Sequence, residues 1–328
     1  VPAPTVVVTW PHAQVAAGSA LDRLAQRGWN VVLHPKHGQR SAAEVEHLMV
    51  GANAAIVSTD PFPASTLAAL PDLRVIARMG VGVDSIDVPA ATAGGVLVTT
   101  TPGANHGVVA EHTVAMILAL VRRLPENDAS TKNGNWDRAG ALTPRTLSAM
   151  TVGIVGMGRI GRSVATAVRG FGADVVYVDP AVDPDSVTDA NRVDFDELLT
   201  RSNVISLHMP STPDTRGLFN SEVFGRMKSG SLIVNAGRGD AIDEQALITA
   251  LDSGHIAGAA LDVFEREPFI PEQLRTMSNV ILSPHTAALS AESIQVMMES
   301  AVSSIIAVLD GQIPDTAINP QAVESIHA

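Results

Sequence analysis

Apolar residues fall along this chain in short blocks separated by polar, helix-like spacing. Thr5–Thr9, Asn30–Leu33, Ala54–Val57, Leu73–Ala77 and Val96–Thr99 are β-rich runs, and segments such as Ala20–Arg27 and Glu44–Val50 repeat with helical period between them. Continuous apolar runs of this length mark strands covered on both faces, and their alternation with helices predicts a parallel sheet. The first hundred residues therefore read as a small flavodoxin-like α/β unit. The cluster Thr101-Pro102-Gly103-Ala104-Asn105 is a turn. It leads into a long helix with apolar positions at Val108, Val109, Met116, Ile117, Leu120 and Val121. Asn133 to Pro144 is polar and holds Gly and Pro, which predicts an exposed loop, with Trp136 as a packing anchor or, second to that, a rim residue of a cleft.

A second series begins at Thr151: Thr151–Val155, Val175–Val178, Val204–Leu207, Leu232–Val234, Ala257–Leu261 and Val280–Leu282. Six such runs predict a doubly wound sheet, in which ligands bind beyond the carboxyl ends of the strands. The residues at those ends are the Gly156 turn, Asp179, His208, Asn235-Ala236-Gly237-Arg238, Asp262 and Ser283-Pro284-His285. Loop polarity alone does not place titratable or cationic groups at five ends of six. Ala291 to Leu309 reads as an amphipathic helix, free of Gly and Pro until Gly311, that packs back on the first domain. The expected division is 1–101 plus 291–328 for one domain and 102–290 for the other.

Composition narrows the picture. At 328 residues the chain suits two domains, and with 46% hydrophobic and 17% charged residues it is globular. A net charge of −12 argues against a nucleic-acid or anionic-membrane partner. With no cysteine, disulfides, thiolate catalysis and Cys-zinc sites are excluded. No metal site, no apolar stretch of spanning length and no signal peptide are expected, so a cytoplasmic protein is the default.

The densest signal runs from Met150 to Asp179. A β-rich run is followed by Gly156, Gly158 and Gly161 in G-x-G-x-x-G spacing, then a helical segment, a second β-rich run and an acid. That order is the context a dinucleotide fingerprint requires. The glycines allow a tight turn, close approach of a pyrophosphate, and close helix–strand packing, with the helix N-terminus facing the anion. Asp179 can accept the ribose hydroxyls of the adenosine half. It would repel a 2′-phosphate, and Pro180, Asp183 and Asp185 supply no cation for one, so NAD is favoured over NADP.

Three side chains on the same edge suit chemistry on a 2-oxo acid. Arg238, between Gly237 and Gly239, offers a planar fork to a carboxylate while the glycines bring its backbone close to a ligand. His285 is a general acid/base candidate, with Pro284 restricting the backbone before it. Glu267, in Glu265-Arg266-Glu267-Pro268, can accept a bond from the ring, set its tautomer and favour its protonated form. Gly80-Val81-Gly82, after the fourth strand, can expose backbone N–H groups to an anion or form a simple strand-to-helix turn, and the segment alone does not choose between them.

The chain resembles the D-isomer-specific 2-hydroxyacid dehydrogenases over essentially its whole length. The resemblance is carried by Gly80–Asp87, Ala110-Glu111-His112-Thr113, Gly153–Gly161 and Leu207-His208-Met209-Pro210. It continues through Asn235–Gly239, Leu261-Asp262-Val263-Phe264 and Ser283-Pro284-His285. It implies a flavodoxin-like substrate domain and a Rossmann cofactor domain, with the active site in the cleft between them. It also implies Arg238, Glu267 and His285 as catalytic residues, and Val81 and Gly82 joining Arg238 on the substrate carboxylate. Cofactor binding is implied for Gly156, Gly158, Arg159, Ile160, Gly161, Asp179, His208, Pro210, Ala236 and Asp262. A homodimer interconverting a small D-2-hydroxy acid and its 2-oxo acid is expected.

The block 103–113 is most similar to the phosphoglycerate dehydrogenase-like branch, and the chain length is expected to leave no regulatory domain. Where phosphate-handling members carry an Arg-Ser pair, this chain reads Val57-Ser58-Thr59-Asp60, so Asp60 is expected to disfavour a phosphorylated substrate unless Lys36, Arg40 or a neighbouring subunit compensates. Two other readings stand beside the favoured one: a D-3-phosphoglycerate dehydrogenase of serine biosynthesis, and an NAD(H)-sensing, corepressor-like binding protein.

Overall fold

The computed structural model describes residues 2–322 apart from His12, His37 and Asp137, and the expected last segment, 323–328, lies outside the described residues. The chain forms two compact units, one running to Asn105 and resuming at Ser290, the other spanning His106–Leu289.

The first unit begins β1 (Thr5–Val8), α1 (Asp22–Gln26), β2 (Asn30–Leu33), α2 (Ala42–Met49) and β3 (Ala54–Val57). It continues α3 (Ala64–Ala68), β4 (Val75–Arg78), α4 (Val88–Ala93) and β5 (Leu97–Thr99). Its five strands are all parallel, in the order β2-β1-β3-β4-β5, one of the two common doubly wound arrangements. The period of two along a strand sends neighbours to opposite faces. Ala54 and Ile56 of β3 therefore enter one core, and Ala55 and Val57 enter the other.

The second unit begins α5 (His106–Val121), α6 (Leu124–Lys132), β6 (Thr151–Val155), α7 (Arg159–Gly170) and β7 (Asp174–Val178). Then follow β8 (Asn191–Arg192), α8 (Phe195–Arg201), β9 (Val204–Leu207), α9 (Ser221–Arg226) and β10 (Ser231–Asn235). It ends α10 (Glu244–Asp252), β11 (Ile256–Leu261), α11 (Glu272–Thr276) and β12 (Val280–Leu282). Seven parallel strands lie in the order β12-β11-β10-β9-β6-β7-β8, where six were expected. The additional strand, β8, is two exposed polar residues on the sheet edge, paired only to β7, and carries no apolar pattern by which to find it. Strand order reverses between β6 and β9, and there the fold opens its ligand crevice.

Helix α12 (Ala291–Leu309) returns the chain to the first unit, packing on β3, β4, β5 and α1. By length and composition this helix is apolar enough to cross a membrane, which corrects the expectation that no such stretch exists. Met297, Ala301, Val302 and Ile305 are nonetheless buried in the core of the unit, so its apolar face is accounted for by packing. Trp136 is 82% exposed among the described residues, where a packing anchor was expected. Helix α6, which precedes it, buries none of its residues.

Candidate active site

The carboxyl edge of the second sheet collects most of the singled-out residues. At the end of β6, Gly156 has φ +95° and a Cβ there would lie 2.7 Å from the His208 carbonyl carbon; a Cβ on Gly161 would lie 2.2 Å from Gly156 O. Gly158, by contrast, faces open space. It is the N-cap of α7 and offers no side-chain cap, so the first N–H groups of the helix are left for an external acceptor. Arg159 is exposed and Ile160 half-buried beside them. Asp179, half-buried after β7, accepts from Met157 N at 2.8 Å through one oxygen and from Ala181 N at 2.9 Å through the other. The turn and the acid are thus one assembly. An open glycine, uncapped helix amides and an oriented carboxylate are the donors and acceptors a dinucleotide needs, so these residues fit NAD.

At the end of β9, His208 Nε2 lies 2.9 Å from Ser206 Oγ. Part of the residue reaches the surface, but its Nδ1 is buried and has no hydrogen-bond partner among the described residues. Burial lowers its pKa from 6.5 to about 4, so the ring is neutral at ordinary pH. Pro210 is exposed two residues on, and Ala236 is buried at the end of β10.

The β10 turn is held by Asn235, which is fully buried; its amide donates to Arg238 O at 2.8 Å and its carbonyl accepts from Gly237 N at 3.0 Å. Arg238 Nη1 donates to Gly237 O at 2.8 Å. A Cβ on Gly239 would lie 1.9 Å from Phe264 O, and one on Gly237 would lie 3.0 Å from Leu207 O. The glycines flanking Arg238 therefore let its turn pack against neighbouring strand ends.

Phe264 begins the turn that carries Glu267, and Phe264 N donates to Glu267 Oε1 at 3.2 Å. The other oxygen, Oε2, lies 2.8 Å from His285 Nδ1. A carboxylate only accepts, so Nδ1 carries the hydrogen and Nε2 is the nitrogen left to exchange a proton. The structure thus brings Glu267 and His285 together from positions 18 residues apart in the chain. Glu244, buried at the start of α10, accepts from Glu265 N at 2.9 Å, and burial raises its pKa. It braces the same turn and was missed from sequence, where it reads as an ordinary helix-start acid.

His285 has φ +54°, a conformation that costs a non-glycine residue about 1–3 kcal/mol and persists where surroundings over-determine it. Here they do. Asp262, 1% exposed, accepts from Thr286 N at 2.8 Å, Ala287 N at 2.9 Å and Ser283 Oγ at 2.6 Å, while its carbonyl accepts His285 N at 2.8 Å. Asp262 thus holds the loop, in addition to the restriction that Pro284 places on the backbone before it. Three of the roughly four lone-pair positions of its carboxylate hold the loop, which leaves about one for a cofactor.

In the first unit, Gly80 N donates to Thr101 Oγ1 at 2.8 Å, and the Arg78 guanidinium fills the space a Cβ on Gly80 would take. Val81 is exposed and Gly82 half-buried in the following loop. Asp60 is 4% exposed and pairs with Arg40 at 2.9 Å, while its second oxygen accepts from Thr9 Oγ1 at 2.7 Å. Its charge is neutralised inside the unit, which removes the expected repulsion of a phosphorylated substrate. Lys36 is likewise taken up by Glu44 at 2.6 Å, and that bond, with donors from Ser41, pulls the Glu44 pKa down to about 2.

Residues 114–287 match the NAD binding domain of the D-isomer specific 2-hydroxyacid dehydrogenases. A glyoxylate reductase of Thermofilum pendens is 40% identical over 81% of this chain and 80% of its own length. A D-3-phosphoglycerate dehydrogenase of Mycobacterium leprae is 42% identical over 78% of this chain, which spans about half (49%) of that relative. The crystal structure of the TT0316 protein from Thermus thermophilus superposes with a TM-score of 0.87 at 36% identity, covering 96% of this chain and 99% of that one.

Proposed function

The chain belongs to the D-isomer specific 2-hydroxyacid dehydrogenase family and is an NAD-dependent oxidoreductase of that family; from that premise we propose that its substrate is a small unphosphorylated 2-oxo acid of the glyoxylate or hydroxypyruvate size. The observation that carries the reading is the His285–Glu267 pair, with Nδ1 bonded to the carboxylate and Nε2 free to move a proton. When bound, NAD would supply or take up the hydride. Gly156, Gly158, Arg159, Ile160, Gly161, Asp179, His208, Pro210, Ala236 and Asp262 would hold it.

In reduction, His285 gives its Nε2 proton to the oxygen that becomes the hydroxyl, and Glu267 stabilises the ring in the orientation required. In oxidation His285 takes the proton back. Arg238 would bind the substrate carboxylate and polarise the oxo group. Lys36 and Arg40, the cations near the end of β2, are already paired to Glu44 and Asp60, which supports a substrate without a phosphate.

A second reading, a phosphorylated three-carbon substrate, is favoured by the Arg78 guanidinium over Gly80 and by the neutralisation of Asp60. Paired kinetics on hydroxypyruvate and phosphohydroxypyruvate at equal ionic strength decide between them. A higher kcat/KM for the phosphorylated compound overturns the first reading. Absence of turnover with any 2-oxo acid and NADH would leave the NAD(H)-sensing reading. The proposal includes a cytoplasmic homodimer without nucleic-acid or membrane partner; exposed Trp136 and the unburied α6 support the dimer, and sedimentation equilibrium tests it.

A further inference from the structure

Helix α5 carries a histidine that the proposed reaction does not use. His112 Nε2 lies 3.0 Å from Ser283 Oγ and 3.7 Å from Asp262 Oδ1. The one hydroxyl hydrogen of Ser283 goes to Asp262 Oδ1 at 2.6 Å. Ser283 Oγ therefore meets His112 as an acceptor, and Nε2 must carry a hydrogen. This sets the direction of the chain: His112 donates to Ser283, and Ser283 donates to Asp262.

What Asp262 then holds is the backbone on the far side of His285. Its two oxygens take the amides of Thr286 and Ala287, and its carbonyl takes the amide of His285 itself. A buried carboxylate is stable only where donors surround it. Here the donors are two amides, a hydroxyl and, behind that hydroxyl, an imidazole. The residue they present has a left-handed backbone, so loosening one anchor lets the loop relax toward ordinary φ and carries the ring with it.

We infer that His112 is a positioning residue for the reaction: from α5 it fixes the Ser283 hydroxyl, and through Ser283 and Asp262 it sets the orientation of the loop that presents His285. The inference rests on His285 being the proton donor. A reacting group displaced by about 1 Å loses on the order of 100-fold in rate, so a partial displacement is expected to lower kcat roughly tenfold. Binding should change less: of the residues that would hold NAD, Asp262 is the one this chain reaches, and its bonds to the Thr286 and Ala287 amides remain in the variant.

The test uses the full chain with NADH and glyoxylate or hydroxypyruvate, in His112→Leu, His112→Gln, Ser283→Ala, the Leu/Ala double variant and His285→Ala. His112→Leu is expected to lower kcat about tenfold, with KM for the oxo acid and the fluorescence-measured NADH Kd within about twofold. His112→Gln, whose amide can donate to the same hydroxyl, should recover most of the loss. The double variant should be no slower than Ser283→Ala alone, since both cut one chain. Wild-type kcat in His112→Leu, multiplicative losses in the double variant, or a Gln variant no better than Leu would each overturn the inference. If His112→Leu does not fold, Ser283→Ala with and without His112→Gln carries the same comparison: the same rate in both supports the chain, and a further loss in the pair overturns it. His285→Ala separates the two claims. Wild-type turnover there sinks the proton-donor reading and this inference with it, whereas an inactive His285→Ala beside a wild-type His112→Leu sinks this inference alone.

Discussion

Two buried aspartates, each just beyond a parallel strand, are treated in opposite ways by this protein. Asp60, after β3, is closed into an ion pair with Arg40, both side chains 5% exposed, and completed by the Thr9 hydroxyl. Asp262, directly after β11, bonds to amides and a hydroxyl of the loop at 283–287. The first arrangement cancels a charge and ties the ends of β1 and β3 to the segment before α2. The second uses a charge to order backbone around a titratable side chain. The difference teaches that burial alone does not mark a working acid: what counts is whether its partners are a counter-ion or the scaffold of a reactive group.

The comparison breaks if activity follows the wrong aspartate. The largest effect is expected at the group Asp262 presents. His285→Ala should lower kcat by about 10²–10⁴ in NADH oxidation assays, with the circular dichroism spectrum unchanged. The Arg40→Met/Asp60→Leu pair should keep kcat within about twofold of wild type. A pair variant as slow as His285→Ala would place the first cluster in the chemistry.

Stability should sort the other way. Asp60→Ala strands a buried guanidinium and should cost about 3–5 kcal/mol in urea unfolding, while the double apolar variant returns close to wild type. Equal losses in the single and double variants would mean that Arg40 is compensated by something other than Asp60.

Asp179 sharpens the contrast from a third environment, since it is half-buried and holds only two amides. Asp179→Ala should narrow the kcat/KM preference for NADH over NADPH by about tenfold, the size of one charge-assisted bond. An unchanged ratio would remove Asp179 from cofactor selection.

The smallest effect concerns His208, a base shifted by burial and not by a neighbouring charge. Its folded pKa is about 4 against an ordinary 6.5, so the unfolded chain binds the extra proton first as pH falls. Its contribution is fully present above 6.5 and is lost between 6.5 and about 4. His208→Gln should flatten the fall in Tm across that window. An unaltered slope would show that His208 is protonated in the fold.

Much of this was written locally. Apolar runs of four or five residues announced β1, β3, β6 and β9, because a strand covered on both faces needs no alternation. The spacing of Gly156, Gly158 and Gly161, with an acid ending the next strand, announced the crevice for the same reason: a turn, a helix start and a strand end are all short-range geometry. Strand β8 and the exposure of Trp136 were illegible, since two polar residues have no periodicity and an indole reads the same in or out of a core. The pairings of charge were beyond reach for a different reason. Arg40 and Asp60 are 20 residues apart, and His112 and Ser283 are 171 apart. Whether Asp60 repels a ligand or lies neutralised, and whether His112 is idle or tied to the His285 loop, depends on which strand ends the sheet order makes neighbours. Residue types set what each side chain can donate or accept; only the tertiary structure decided to whom.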